Sequence, residues 1–546
     1  MGSSSEGDRM QQATNRQRRA RIAATWALAL AAWLVLAAPT RAQEADAAAA
    51  LAAAEAAYAA KDYEQADREY ARTIAAGDHR AGTYYDAACT AALAGRVDRG
   101  FALLQSAVDA GYSRAGHARR DPDLAALRAD PRWPPFIAAL DARYPDDRLL
   151  ERLMDSRLPA SARYIEVRRA LDAGMPMPDG KTSPFPELYG TAASMVGEYD
   201  EARATYLAHR KPQPLPGGYD RVEPALPEIL ARAGRTRVVL LNESHAEAQT
   251  RASNFSLLAP LRALGFTHLG IEALDVVAVP ASAVRCAGAT LSDTQLPVRG
   301  YPLGLGVTGY YTQEPVFGEL LREALRLGFE LVAYETPTMG ESQQEREQAQ
   351  ADNLACVLKD PKAKLVVIGG FGHIREALAG NVPGGAMGYR LRQATGIDPL
   401  SVDSTVLART GPGALEFPTA PGVPGEGWVL RNAEGQAYGN ADYDLILFLE
   451  APAHRNDDGR ASWLQLGGAR QPVAIDADLC AGRRPCLLQA HAEAESADAV
   501  PSDRCVLVDG QAGCRLFLRP GKYRVQAEDE HQAALGQRHM QVPAGG

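Results

Sequence analysis

His245 and His373 each follow a short apolar run that ends in polar residues. Val238 to Leu241 leads into Asn242-Glu243-Ser244-His245, and Leu365 to Ile368 leads into Gly369-Gly370-Phe371-Gly372-His373. Two further runs, Leu269 to Ile271 and Leu331 to Tyr334, stop at Glu272 and Glu335. An imidazole titrating near neutrality can take a proton from water, a carboxylate can orient it, and a cation can hold the charge that develops on a carbonyl oxygen. The chain has only 10 histidines, so two at equivalent strand ends point to a hydrolytic site. Glu243 and His245, two residues apart, face the same way if the extended conformation continues. Arg346, within Glu345-Arg346-Glu347-Gln348, has reach to a carboxylate or an anionic intermediate from the helix after Glu335; the alternative is an exposed helix arginine in an i,i+4 pair. The candidate catalytic set is therefore His245, Glu243, Glu272, His373, Arg346 and Glu335.

His245, Glu272 and His373 could equally ligate zinc, manganese or cobalt, because metal-free and metal-assisted hydrolysis use the same side chains. Gly369, Gly370 and Gly372 allow close backbone approach or positive φ before His373. These three glycines do not form a GxGxxG phosphate loop, and the sequence carries no Walker lysine motif, GxSxG elbow or HExxH helix.

Those residues need a scaffold of strand ends. Apolar runs at 238–241, 269–271, 331–334, 365–368, 400–402 and 445–449 alternate with helical periodicity, as in Phe317 to Leu327 and Ser342 to Leu358, which predicts a mostly parallel α/β sheet. Ligands of such sheets bind beyond the carboxyl ends of the strands. The long aperiodic segment from Val279 to Pro315, with Tyr310 and Tyr311, is expected to form a lid or specificity wall.

Ahead of this region, Tyr63, Ala66, Tyr70 and Ile74 recur as Val97, Gly100, Leu104 and Val108, an offset of 34 residues, with a half-match at Tyr199, Ala202 and Tyr206. That period is the tetratricopeptide pattern. It predicts a helical array over residues 43–210, read either as a groove for a protein partner or as a helical shoulder. Prolines from Lys211 to Gly218 mark a linker. The α/β domain is expected at 219–410, a Gly/Pro-rich loop at 411–427, and a β-rich region at 428–546, with its first strand available to complete the α/β sheet. In that tail, Cys514 to Leu518 and Tyr523 to Gln526 around Arg519-Pro520-Gly521-Lys522 read as a hairpin.

Arginines at 16, 18, 19 and 21 before the apolar run Ile22 to Ala38, then Thr40-Arg41-Ala42, read as a signal peptide over residues 1–42, with no stable membrane span after cleavage. A periplasmic or secreted location follows, and Cys480, Cys486, Cys505 and Cys514 suit an oxidising compartment, paired 480 with 486 and 505 with 514. Cys89, Cys286 and Cys356 read as buried apolar residues. A net charge of -9 and a pI near 5.7 argue against a nucleic-acid partner.

Asn242-Glu243-Ser244-His245, Gly270-Ile271-Glu272, the Arg346 helix and Gly370-Phe371-Gly372-His373 together resemble the superfamily of erythromycin esterases, ChaN-type haem-binding proteins and TIKI/TraB-like proteins, over about 170 residues. The resemblance implies His245 as base or metal ligand, Glu243 and Glu272 as supporting carboxylates, and His373 as a second polar anchor. Asn242 stands where the pattern usually has glycine, and no cysteine follows the leader as in a lipoprotein. The expected function is an exported hydrolase of esterase or peptidase type acting on a small molecule or peptide. The alternatives are a non-catalytic haem or metal binder, and an envelope scaffold that uses its helical repeats.

Overall fold

Val238 to Leu241 and Leu365 to Ile368 are buried throughout, as strands covered on both faces must be. They pair in parallel, from Val238 opposite Leu365 to Glu243 opposite Gly370. The computed structural model describes residues 41–155, 157–178, 183–209, 216–278, 289–336, 342–378, 382–407, 427–449 and 460–544. The apolar leader, most of the proline linker, the 411–426 stretch and Cys286 therefore lie outside the described residues. Two compact units emerge, one up to Arg148 and one from Leu149 onward.

The first unit is helical. Helices α1 (Arg41–Ala59) and α2 (Tyr63–Ala75) pack together, as do α3 (Ala81–Leu93) and α4 (Val97–Asp109). Asp62 caps α2 by accepting from the Gln65 amide at 3.0 Å. The spaced positions Ala66, Tyr70, Leu104 and Val108 are all buried. Gly100 is small for a reason: a Cβ there would sit 3.0 Å from Leu127.

The second unit contains helices α5 (Ala160–Asp172), α6 (Phe185–Met195) and α7 (Tyr199–His209), followed by an eight-stranded sheet. Its strands are β1 (Tyr219–Pro224), β2 (Val238–Glu243), β3 (His268–Ile271), β6 (Glu330–Ala333), β7 (Leu365–Gly370), β8 (Leu400–Asp403), β9 (Trp428–Asn432) and β10 (Leu445–Phe448), while β4 (Val276–Ala278) and β5 (Ala289–Leu291) form a separate small pair. The order is β1-β9-β10-β8-β2-β7-β3-β6, parallel from β10 to β6 and antiparallel at β1 and β9. Val239 and Leu241 face a core shared with α8 (Ala225–Ala233), α9 (Ala248–Ala263) and α10 (Pro315–Arg326). Val238 and Leu240 face the opposite core with α11 (Gln343–Val357) and α12 (Met387–Thr395). Two-residue alternation thus sends Glu243 toward one helical layer and Asn242 toward the other.

After β10 the chain forms two antiparallel sheets, β11 (Gln471–Asp476) with β14 (Gly513–Leu518), and β13 (Asp503–Leu507), β12 (Cys486–Ala492), β15 (Gly521–Glu528) and β16 (Ala534–Val542) in that order. Leu516 and Leu518 from one sheet share a core with Leu488, Val525 and Ala527 from the other. The expected 514–526 hairpin is not formed. β14 and β15 belong to different sheets, and the residues between them carry the chain across, with Arg519 held by Glu319 at 2.8 Å and Glu323 at 2.9 Å on α10. The disulfides Cys480–Cys486 and Cys505–Cys514 are present, with Cα separations of 5.9 and 6.7 Å. Cys89 is free and buried, whereas Cys356 is disulfide-bonded rather than a plain apolar residue. Among the described residues no helix is long and apolar enough to cross a membrane.

Candidate functional site

β2 delivers Glu243 into the interior, where it meets the fully buried Arg251 of α9 at 2.8–2.9 Å. Arg251 also reaches Glu314, the N-cap of α10, at 3.4 Å and donates to the His245 carbonyl at 3.1 Å. Burial works against this guanidinium, but Glu243 and Glu314 outweigh it and hold it charged. The loop carrying His245 is thereby tied to two helices.

The His245 ring has Glu187 Oε1 3.1 Å from Nδ1 and Glu243 Oε1 3.6 Å from Nε2, so Glu243 and His245 do lie on one side. Tyr311 stacks on it with centroids 4.0 Å apart, and Phe371 packs edge-on at 4.7 Å. Gly370 faces Nε2: a Cβ there would lie 2.8 Å from His245 Nε2 and 3.2 Å from Glu272 Oε2. Glycine is needed here for space. The positive φ falls instead on Phe371, at 42°.

The second half of the site is an ion cluster. Arg346 on α11 donates to Glu272 Oε1 at 2.7 Å and to both oxygens of Glu335 through Nε, at 3.1 and 3.0 Å. The other oxygen of Glu272 accepts from the Gly370 amide. Glu335 is further fixed by Gln350 at 3.1 Å and the Thr336 amide at 2.8 Å. His373 stands between two carboxylates, with Nε2 3.3 Å from Glu272 and Nδ1 2.9 Å from Glu347, the latter without the alignment of a hydrogen bond. Burial alone would depress this imidazole, but Glu272 and then Glu347 hold its pKa up at about 10, so it is an imidazolium at neutral pH. Glu272 is correspondingly held well below the usual carboxylate range: burial opposes ionisation, and His373 and Arg346 overcome it. The 3.4 Å approach of Arg346 to His373 brings two cations together, with Glu272 bridging them.

These groups surround a cavity of about 470 Å³ whose lining includes His245, Glu187, Tyr311 and Phe371 together with Glu272, Arg346, Glu347 and His373. A smaller chamber of about 90 Å³ adjoins it, bordered by Glu243, Glu335 and Phe317 together with His245, Glu272 and Arg346. All six expected catalytic residues therefore border one or other space. The expected wall residue Tyr311 borders both.

Glu187, Glu347, Arg251 and Phe371 were not expected. Glu187 arrives from α6, ahead of the linker, and nothing local in its sequence marks it. Glu347 had a readable signal: with Gln350, Ala351 and Leu354 it forms a buried stripe at helical spacing headed by a carboxylate. Asn242 points away from His245. Its amide donates to Asp403, to the Phe371 carbonyl at 3.2 Å and to Thr405 at 3.2 Å, and its oxygen accepts from the Ser404 amide at 2.8 Å.

For a metal, the donor set His245, Glu272 and His373 is poorly disposed. Glu272 and His373 pair with each other and with Arg346, and the three residues of the set do not offer ligand atoms mutually within 4.8 Å. Among the described residues the one group of metal-capable atoms mutually within 4.8 Å is Cys89, Asp121 and Asp123, in the helical unit.

No protein-family model, curated protein or solved structure matches this chain.

Proposed function

We propose that the chain is an exported hydrolase of esterase or peptidase type, related to the erythromycin esterase, ChaN and TIKI/TraB-like proteins, whose water is activated by His245. The observation that carries this reading is that His245 lines one cavity together with Arg346 and His373, two cations held in place by Glu272, Glu335 and Glu347. Glu187 accepts the Nδ1 proton and leaves Nε2 as the basic nitrogen toward the space over Gly370. Water there gives its proton to Nε2 and attacks the acyl carbon. Arg346 and the imidazolium of His373 hold the oxyanion that forms. Glu335 and Glu272 fix Arg346, while Glu243 acts through Arg251 to fix the His245 loop. The basic leader over residues 1–42 and the two C-terminal disulfides support export. The N-terminal helices fit a tetratricopeptide-like array that would recruit a protein partner.

The test is His245→Ala on the full chain against a panel of esters and peptides. Turnover is expected to disappear while the melting temperature stays near that of the wild type. Survival of activity in that variant would sink the assignment.

A further inference from the structure

Water activation leaves Tyr311 without a task, yet it is the aromatic residue most tightly placed against the base. Its ring lies 4.0 Å from the His245 ring and 22° from parallel, and it borders both chambers. Its backbone is braced. The preceding Tyr310 packs edge-on at 5.0 Å with its hydroxyl donating to the Leu153 carbonyl at 2.9 Å, and Thr312 donates to the Gly309 carbonyl at 2.9 Å. Tyr310 and Tyr334 both spend their hydroxyls on carbonyls, Tyr334 on Ile368 at 3.1 Å. The Tyr311 hydroxyl, by contrast, has no protein partner among the described residues, and it is not one of the buried, unpaired atoms sealed from solvent. A residue that lines both chambers thus keeps an O–H donor that no described protein group takes up. Burial, then Tyr310 and the carboxylates of Glu243, Glu187 and Glu272, push this phenol's pKa up, so it carries its proton at neutral pH.

We infer that Tyr311 is the general acid that protonates the leaving group. The inference rests on the hydrolase reading above. As the water oxygen bonds to the acyl carbon, its proton passes to His245 Nε2. When the tetrahedral intermediate collapses, the bond from carbon to the leaving oxygen or nitrogen breaks, and that atom keeps the electron pair and takes the Tyr311 proton. The His245 imidazolium returns its proton to the phenolate through a solvent water, and both groups recover their starting states. One water is consumed, and one acid and one alcohol or amine are released.

A leaving group that is already a stable anion needs no such proton, whereas an alkoxide does. The experiment compares the full-length wild type with Tyr311→Phe, which keeps the stacked ring, on matched p-nitrophenyl and ethyl esters of one acyl group. The fall in kcat/KM on the ethyl ester is expected to exceed that on the p-nitrophenyl ester by about 100-fold or more, within the range of general acid catalysis, at unchanged melting temperature. His245→Ala is expected to lower both equally. An equal fall on the two esters in Tyr311→Phe, or no fall, overturns the role of Tyr311 while leaving His245 intact. A wild type that hydrolyses no ester or peptide overturns the hydrolase reading and this inference with it.

Discussion

His373, just beyond β7, is half-buried and His491, on β12, is buried, both in the second unit, and each ring has lost most of its water. Desolvation disfavours the charged ring in both places. Around His373 it is opposed by Glu272 and Glu347, and the ring holds its proton up to about pH 10. Around His491 it is reinforced by Arg504, Arg524 and Arg322, with Arg524 directly opposite on β15, and the pKa drops to about 3. Desolvation in both places therefore yields a cation in the cavity and a neutral ring in the C-terminal sheet. Neighbour charge, not depth, decides which histidine can stabilise an anion.

The strongest way to break this contrast is to force charge on both sites. His491→Arg places a permanent cation opposite Arg524, and a loss of about 3–5 kcal/mol is expected, the cost of an uncompensated buried charge. His373→Arg keeps a cation between two carboxylates and should cost clearly less. Urea denaturation of the two variants measures the difference; equal losses would mean that the surroundings do not discriminate.

Removing a carboxylate attacks the other side of the contrast. In Glu272→Gln, Arg346 loses one anchor and His373 loses the neighbour that does most to keep it protonated. An imidazole titration by NMR is expected to show the His373 pKa falling, and kcat is expected to drop about 100- to 1000-fold, as when one donor to a developing oxyanion is lost. A titration unchanged from the wild type would leave the charge of His373 without its cause.

A smaller effect is expected at Asn242. Asn242→Gly removes the donor to Asp403 and to the Phe371 carbonyl and the acceptor for the Ser404 amide. A loss of about 1–3 kcal/mol is expected for such buried groups left unpaired, read from chemical denaturation. Because the side chain points away from His245, the chemical step should change less than the stability does.

The strand ends were legible because apolar runs such as Val238 to Leu241 have room for polar residues only where the chain leaves the core. Their partners were not legible to the same degree. Glu187 meets His245 across 58 residues and a linker, a contact created by packing alone. Arg251 lies on a helix whose buried face includes Thr250 and Asn254, so no apolar stripe announces its role. The segment around Pro520 has the composition of a tight turn, yet the same composition serves a crossing between two sheets, because Arg519 finds carboxylates on α10. Local residue types constrain where backbone bends; which strands then pair is decided by surfaces remote in sequence.

The two histidines also divide the pH profile of stability between them. The folded pKa of His373 lies above its ordinary value of 6.5, so its contribution is fully present below pH 6.5 and is lost as pH rises toward about 10. The folded pKa of His491 lies below 6.5, so its contribution is present above pH 6.5 and is lost as pH falls toward about 3. Each limb can be no steeper than about 1.4 kcal/mol per pH unit for a single proton. His373→Gln should therefore flatten the alkaline limb and spare the acid one, and His491→Gln should do the reverse. Denaturation midpoints measured from pH 4 to pH 9 would decide the matter, since a variant that flattens the wrong limb reverses the sign of the charge environment assigned to that histidine.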